Sequence, residues 1–312
     1  MDINKEKNFL SVVAYIHNDE NDIAKFIENI NEILSNNFNK YEIILVDDAS
    51  NDISVAIIKE AVQKIKSCTV QIIHMSYYHG NELAMNAGVQ LAIGDFVFEF
   101  DKVSIDYDDK YIMDTYRRSL TGYDIVSVSP AEAKSKGSQL FYKLYNKFSN
   151  NQYELKTECF RILSRRAINR IFSMSKTIPY RKALYANCGL KQDTLYYKTK
   201  SQTIEKDSQE KHYRYKMAVD ALILFTDIGY KTAFILTLVM MAISIIIAAY
   251  TAFIFIAEKP VSGWTSMMIF MAVGFTGIFA VSAIIIKYLD LLVGLVFKKK
   301  TSTIESIEKL TH

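Results

Sequence analysis

Along residues 9–172, short continuous apolar runs alternate with segments whose apolar residues recur at helical spacing. FLSVVAYI at 9–16 predicts a first strand, and Ile23, Phe26, Ile27 and Ile30 fall on one face of the helix that follows. Ile43, Ile44, Leu45 and Val46 form a second strand without polar interruption, the pattern of a strand whose sheet is covered by helices on both faces. A helix over 54–65, a strand over 69–75, a helix over 82–92 and a strand over 96–100 continue the alternation. Beyond them the pattern predicts a helix near 108–119, a strand over 123–129, an amphipathic helix over 136–149, a short strand over 160–164 and a helix over 165–172. Strand and helix trading places in this way predicts an α/β domain with a parallel sheet and right-handed crossovers.

Two of these strands end in acids. YEIILVDDASND places Asp47 and Asp48 at the carboxyl end of its strand, and FVFEFD places Asp101 at the tip of another. Ligands of open α/β sheets bind outside those ends. For Asp48, Ser50 and Asn51 a turn that caps a helix from Asp52 is an equally good reading. Acids on two strands at one sheet edge favour a nucleotide or metal site over that reading. No Walker loop and no GxGxxG occurs, so phosphate cradling by a glycine-rich loop is not supported.

Of the 312 residues 50% are hydrophobic, and they are unevenly placed: 232–257 and 264–286 hold no charged residue. Each run exceeds the roughly 20 residues that cross a bilayer, which predicts two transmembrane helices. MDINKEKNFL is too charged for a signal peptide. Lys231 before the first run and Lys287, Lys298, Lys299 and Lys300 after the second put the amino-terminal domain and the tail in the cytoplasm, at the inner membrane. Cys68, Cys159 and Cys188 lack CxxC spacing and read as reduced thiols. The net charge of +3 is modest and does not point to nucleic acid; basic residues gather at 161–170 and 198–216, as a face for anionic lipid or phosphate or as a solvated surface. In the 136–149 helix Leu140, Phe141, Leu144, Tyr145 and Phe148 oppose Lys143, Asn146 and Lys147, which suits a membrane interface or an ordinary packed surface helix. The polar run 200–211 reads as an exposed loop, 213–228 as an amphipathic juxtamembrane helix, and TSTIESIEKLTH as a short surface helix or a frayed end. The expected division is 1–212 for the catalytic domain, 213–229 for the juxtamembrane helix, 230–297 for a two-helix hairpin and 298–312 for a cytoplasmic tail.

SVVAYIHNDE resembles the opening of family 2 glycosyltransferases, VDDAS resembles their nucleotide-binding strand end, and Gly80, Ala84, Gly88, Gly94 and Asp95 fall where their G…A…G…GD pattern falls. FRILSRRAINRI, YRKALYANCGLKQ, HYRYKMAVDALILFTDIGYK and GWTSMM followed by KYLDLL resemble successive segments of one branch, the polyprenyl-phosphate glycosyltransferases. The resemblance implies a GT-A fold, a nucleotide-sugar donor, Mg2+ or Mn2+, and transfer to a polyprenyl phosphate at the cytoplasmic membrane face for surface glycan synthesis. It leaves room for a homo-oligomer. Carried over by position, Tyr15, His17, Glu20, Asp47, Asp48 and Gly80 would hold the nucleoside. Asp101 would face the diphosphate through the metal, and Glu158, Arg161 and Arg181 would line the phosphate and acceptor region; as an alternative to the metal, where the chain departs from the family's D-x-D, the Lys102 ammonium takes over part of the cation's task.

The chain departs from the pattern at Tyr15 for a proline, Tyr77-Tyr78 for Arg-Asn, Val103 for the second acid of D-x-D, and Cys159 for the acid before FRL. Asp106 or Asp108 is a candidate second metal ligand, and Cys159 reads as a packed thiol rather than a nucleophile. The altered acids keep two alternatives open: transfer to a lipid-linked oligosaccharide, and a catalytically weak homologue acting as a membrane-anchored binding partner.

Overall fold

Among the described residues there are eight strands: β1 (Leu10–Ile16), β2 (Tyr41–Asp47), β3 (Thr69–Met75), β4 (Phe96–Phe100), β5 (Ile125–Pro130), β6 (Phe160–Ser164), β7 (Gln192–Tyr197) and β8 (Ile304–Lys309). The helices are α1 (Ile23–Asn37), α2 (Ser54–Val62), α3 (Asn81–Leu91), α4 (Lys110–Leu120), α5 (Lys136–Phe148), α6 (Arg165–Met174), α7 (Arg181–Asn187) and α8 (Ser208–Phe225). The computed structural model describes residues 5–65, 68–132, 136–149, 153–174, 180–199, 208–226 and 304–309, with scattered positions between 228 and 292.

All strands join one sheet in the order β7-β5-β6-β4-β1-β2-β3-β8. β1 pairs in parallel with both β2 and β4, and β2 in parallel with β3, so these four strands end at one edge. The chain builds outward from β1 to β3 and then returns to β4 on the other side of β1. That reversal is a topological switch point, where an open sheet forms its ligand crevice. Asp48, just after β2, and Asp101, just after β4, flank the switch with β1 between them. β6 runs antiparallel to β4 and β5.

The predicted apolar patterns account for the packing. Every residue of β2 is buried, and α1 buries Ile23, Phe26, Ile27, Ile30 and Leu34. α3 approaches the sheet closely because Gly88 has no side chain: a Cβ there would lie 2.4 Å from Val13 Cγ1 and 2.7 Å from Val46 Cγ2. Two compact units divide the chain: Met1–Asn146 with Asn151–Met217 and Lys300–His312, which holds the sheet, and Lys147–Asn150 with Ala218–Lys299.

Several expectations change. The tail is neither a helix nor a frayed end; it forms β8, antiparallel to β3, with Ile307 opposite Ile73 and Ile304 opposite Met75. A register shift between His74 and Met75 accompanies that pairing. The reason is the backbone groups along the outer edge of β3, which an added strand satisfies; Lys59 reinforces it with a 2.7 Å ion pair to Glu308. Residues 208–211 belong to α8 rather than to a loop. α7 and β7 escape the pattern, since α7 has seven residues and β7, at the far edge of the sheet, buries only Tyr197 fully. The apolar runs 232–257 and 264–286 lie for the most part outside the described residues. Among the described residues no helix is long and apolar enough to cross a membrane.

Gly88→Ala should destabilise the chain by about 1–3 kcal/mol, the range for overpacking a filled core. Denaturant unfolding of the two proteins checks it, and equal stability would contradict the close α3 contact.

Candidate active site

The segment between β2 and α2 turns sharply, with Ala49 in the left-handed region at φ 55°. It leaves Asp48 with no exposed surface, accepting from His79 N–H at 2.8 Å, Gly80 N–H at 2.7 Å and the Tyr15 hydroxyl at 3.0 Å. Burial pushes the Asp48 carboxyl above its ordinary range, against those three donors. Burial and Asp48 together push the Tyr15 hydroxyl up as well. Asp48 therefore anchors the segment that enters α3. Asp47 is held by Ser50 N–H at 3.1 Å and His74 Nδ1 at 3.1 Å.

His17 Nδ1 donates to the Asp48 carbonyl at 2.7 Å, and its ring lies 4.7 Å from that of Tyr78. Tyr77, 59% exposed, stacks on His79 at 4.0 Å. Tyr15, His17, Asp47, Asp48 and Gly80 are thus brought together beside an aromatic surface. Glu20 is not among them: it is exposed and accepts from Ile53 N–H at 3.4 Å, tying two turns together. Gly80 has φ 81° and lies under the Tyr213 ring, which a Cβ would meet at 2.2 Å. Both its backbone angle and its surroundings require glycine.

On the other side of the switch point stands a cluster of charges. Glu99 and Arg161 are direct cross-strand partners in the β4–β6 pair. Glu99 Oε2 accepts from Arg161 Nη1 at 2.6 Å and from Arg181 Nη1 at 3.0 Å, while Oε1 accepts from the Tyr185 hydroxyl at 2.7 Å. Asp101 accepts from Arg161 Nη2 on one oxygen and Arg181 Nη2 on the other, both at 2.6 Å. Arg161 Nε donates to Glu158 at 2.8 Å and Arg181 Nε to Glu82 at 3.0 Å. Arg181 also holds Asn81 Oδ1 at 2.7 Å, and Asn81 Nδ2 donates to the Asp101 carbonyl at 2.8 Å. Gly80, Asn81 and Glu82 so connect the Asp48 half of the site to the Asp101 half.

Both guanidiniums are out of water, with 0% and 1% of the side chain exposed, while Asp101 and Glu158 keep 16% each and form the open rim. Burial opposes ionisation of Asp101, but Arg161, Arg181 and Lys182 outweigh it and hold the carboxyl well below the usual carboxylate range. Burial likewise opposes the charge on each arginine, and the surrounding carboxylates overcome it. Lys102 is exposed next to Asp101 in the chain.

Sequence reasoning named Asp101, Glu158, Arg161 and Arg181 and missed Glu82, Glu99, Asn81 and Tyr185. A signal for Glu99 was present: an acid inside FVFEF, two residues before Asp101 and hence on the same strand face.

The family resemblance implies a divalent cation at Asp101. Asp106 accepts from the Tyr197 hydroxyl at 2.8 Å and Asp108 lies 3.9 Å from Lys110. Among the described residues no three metal-binding side chains gather. The donor set nevertheless fits a hard cation of the magnesium type: rim carboxylates, a surplus of acid over guanidinium, and substrate oxygens to complete the shell. Cys159 packs against the core near Tyr197, as a packed thiol does.

The glycosyl transferase family 2 model matches residues 11–185, more than half of the chain and the whole of the charge cluster. The chain belongs to glycosyl transferase family 2. Among its family 2 relatives, a prophage bactoprenol glucosyl transferase homolog of Escherichia coli K12 is 24% identical over 270 residues, covering 83% of this chain and 86% of its own. An undecaprenyl-phosphate 4-deoxy-4-formamido-L-arabinose transferase of Pectobacterium atrosepticum is 30% identical over 141 residues, 45% of this chain and 42% of that one. These relatives match the polyprenyl-phosphate branch that the sequence resembles. The solved mannosyltransferase PcManGT of Pyrobaculum calidifontis, in complex with GDP-Man and Mn2+, superposes with a TM-score of 0.51 at 12% identity over 95% of this chain and 89% of that one, and shares the GT-A α/β fold.

Asp48→Ala should cost this glycosyltransferase about 3 kcal/mol or more, since three donors lose their acceptor and two are buried backbone N–H groups; denaturant unfolding checks it. Burial lifts the Asp19 carboxyl to about 6, against the His17 N–H that it accepts. Its folded-state pKa is therefore raised, so its share of stability is complete below its ordinary 3.8 and is lost as pH rises through about 6. Unfolding of native protein and Asp19→Asn across that window should show the native protein falling relative to the variant.

Proposed function

We propose that this glycosyltransferase moves a sugar from a nucleoside-diphosphate donor to a polyprenyl phosphate at the cytoplasmic face of a membrane, for surface glycan assembly. The observation that carries this reading is the pair of buried guanidiniums aimed at Asp101 on the rim of the switch-point crevice. Both substrates are phosphates, and the site holds two fixed, desolvated guanidiniums where they would meet, within a ring of carboxylates whose charge a cation would offset. The relatives named for bactoprenol and undecaprenyl phosphate support the acceptor class. The apolar runs 232–257 and 264–286, with lysines flanking their outer ends, support a two-helix anchor.

The nucleoside fits the side of Tyr15, His17, Tyr77 and Tyr78, where aromatic faces and backbone polar groups converge. When the bond between sugar and diphosphate breaks, negative charge grows on the departing oxygen. Arg161 and Arg181 are already oriented and out of water, so their attraction to that charge is strong. A divalent cation held by Asp101, with Glu158 beside it, would add neutralisation of the diphosphate. An acceptor phosphate is ionised near neutral pH and needs little help from a general base; the cluster's contribution is to hold two anions close together. Engagement of both Asp101 oxygens by arginine, with Val103 where a second acid would stand, favours as a second reading a weak or inactive homologue serving as a binding partner.

Full-length protein in detergent, incubated with labelled nucleotide sugars and a short polyprenyl phosphate, should yield a charged sugar lipid. Asp101→Asn should lower turnover about tenfold or more. Native-level turnover in the variant would contradict the donor assignment, and nucleotide binding without turnover in the native protein would favour the second reading.

A further inference from the structure

The charge cluster has a closed back and an open front. At the back, Glu99 has no exposed surface and sits between the Nη1 atoms of Arg161 and Arg181, with the Tyr185 hydroxyl fixing its other oxygen. At the front, Asp101 is partly exposed and sits between the two Nη2 atoms. Glu99 in β4 and Asp101 just after it are two residues apart, so both acids lie on one face. Two guanidiniums this close repel unless an anion stands between them, and Glu99 supplies a permanent one. A carboxylate that gives one oxygen to each Nη2 occupies these donors as two oxygens of a phosphate would.

We propose that Glu99 is a positioning residue that holds Arg161 and Arg181 as a single anion-binding pair, and that Asp101 is the exchangeable occupant of that pair, displaced when a substrate phosphate arrives. The inference rests on the reading of the substrates as phosphates. The charges allow the exchange: with Asp101 out of the pair, Glu82, Glu99 and Glu158 are matched by Arg161, Arg181 and the neighbouring Lys182, whose charge is felt by Glu158 and Asp101. Back and front also differ in what they lose on release. Asp101 turns toward water at the rim, whereas Glu99 would be left as a bare buried charge.

The test is calorimetric binding of inorganic pyrophosphate to the full-length chain in the presence of a chelator. Asp101→Asn removes the competing charge and should bind pyrophosphate about tenfold more tightly than the native protein, or better. Glu99→Gln keeps the shape of the back wall, frees the guanidiniums from their fixed alignment, and should bind about tenfold more weakly. Circular dichroism and thermal unfolding identify folded variants; where Glu99→Gln does not fold, Asp101→Asn alone decides. Asp101→Asn binding no more tightly than the native protein overturns the proposal, as does a folded Glu99→Gln with native affinity. Pyrophosphate binding involves neither sugar nor lipid. A chain that shows this order of affinities but makes no lipid product keeps the inference and loses the proposed function, and the opposite result does the reverse.

Discussion

The interaction on which the site depends is the sharing of Glu99 between two buried guanidiniums. Two unit charges about 4 Å apart repel by about 4 kcal/mol at the effective dielectric of a protein's outer layers. Burying both arginines side by side is tolerable only because carboxylates alternate with them. Removing one partner of a buried pair typically costs about 3–5 kcal/mol, since the other charge stays behind without compensation. That penalty ties four parts of the fold together: Glu99 and Asp101 come from β4 and its carboxyl end, Arg161 from the facing position on β6, Arg181 from the start of α7 and Glu82 from the first turn of α3. The cluster fastens the sheet to its helices as well as forming the candidate active site.

The entry to α3 couples this cluster to the other half of the crevice. Asp48 holds the backbone of His79 and Gly80, Asn81 holds Asp101 and Arg181, and Glu82 holds Arg181 again. Any movement of the backbone around Asp48 is therefore passed to the segment that sets one of the two arginines. Gly80 makes the junction by adopting a left-handed backbone under the Tyr213 ring.

Strands with both faces covered were legible because burial writes continuous apolar runs: the expected 96–100 and 160–164 coincide with β4 and β6. Asp48 and Asp101 were legible as strand-end acids, and Arg161 and Arg181 through the family resemblance. The edge strands were not. β7 is half exposed and carries mixed residues, and β8 draws its stability from pairing with β3 across more than two hundred residues of sequence. Glu99 was visible only as an acid inside the apolar run FVFEF, without its role. Its meaning depends on the register that sets it opposite Arg161, a long-range fact that no local pattern encodes. Glu20 shows the converse, a residue placed by positional likeness that the fold uses to join two turns.

The account stands on the claim that the donor's diphosphate lies at the front of the arginine pair. An experimental structure of the full-length chain with a bound nucleotide sugar tests it most directly. The account predicts the diphosphate within hydrogen-bonding reach of Arg161 or Arg181 and beside Asp101, with the nucleoside against Tyr15, His17 and the tyrosines before Gly80. A diphosphate bound elsewhere on the sheet, with Asp101 still clasped by both arginines, would contradict it.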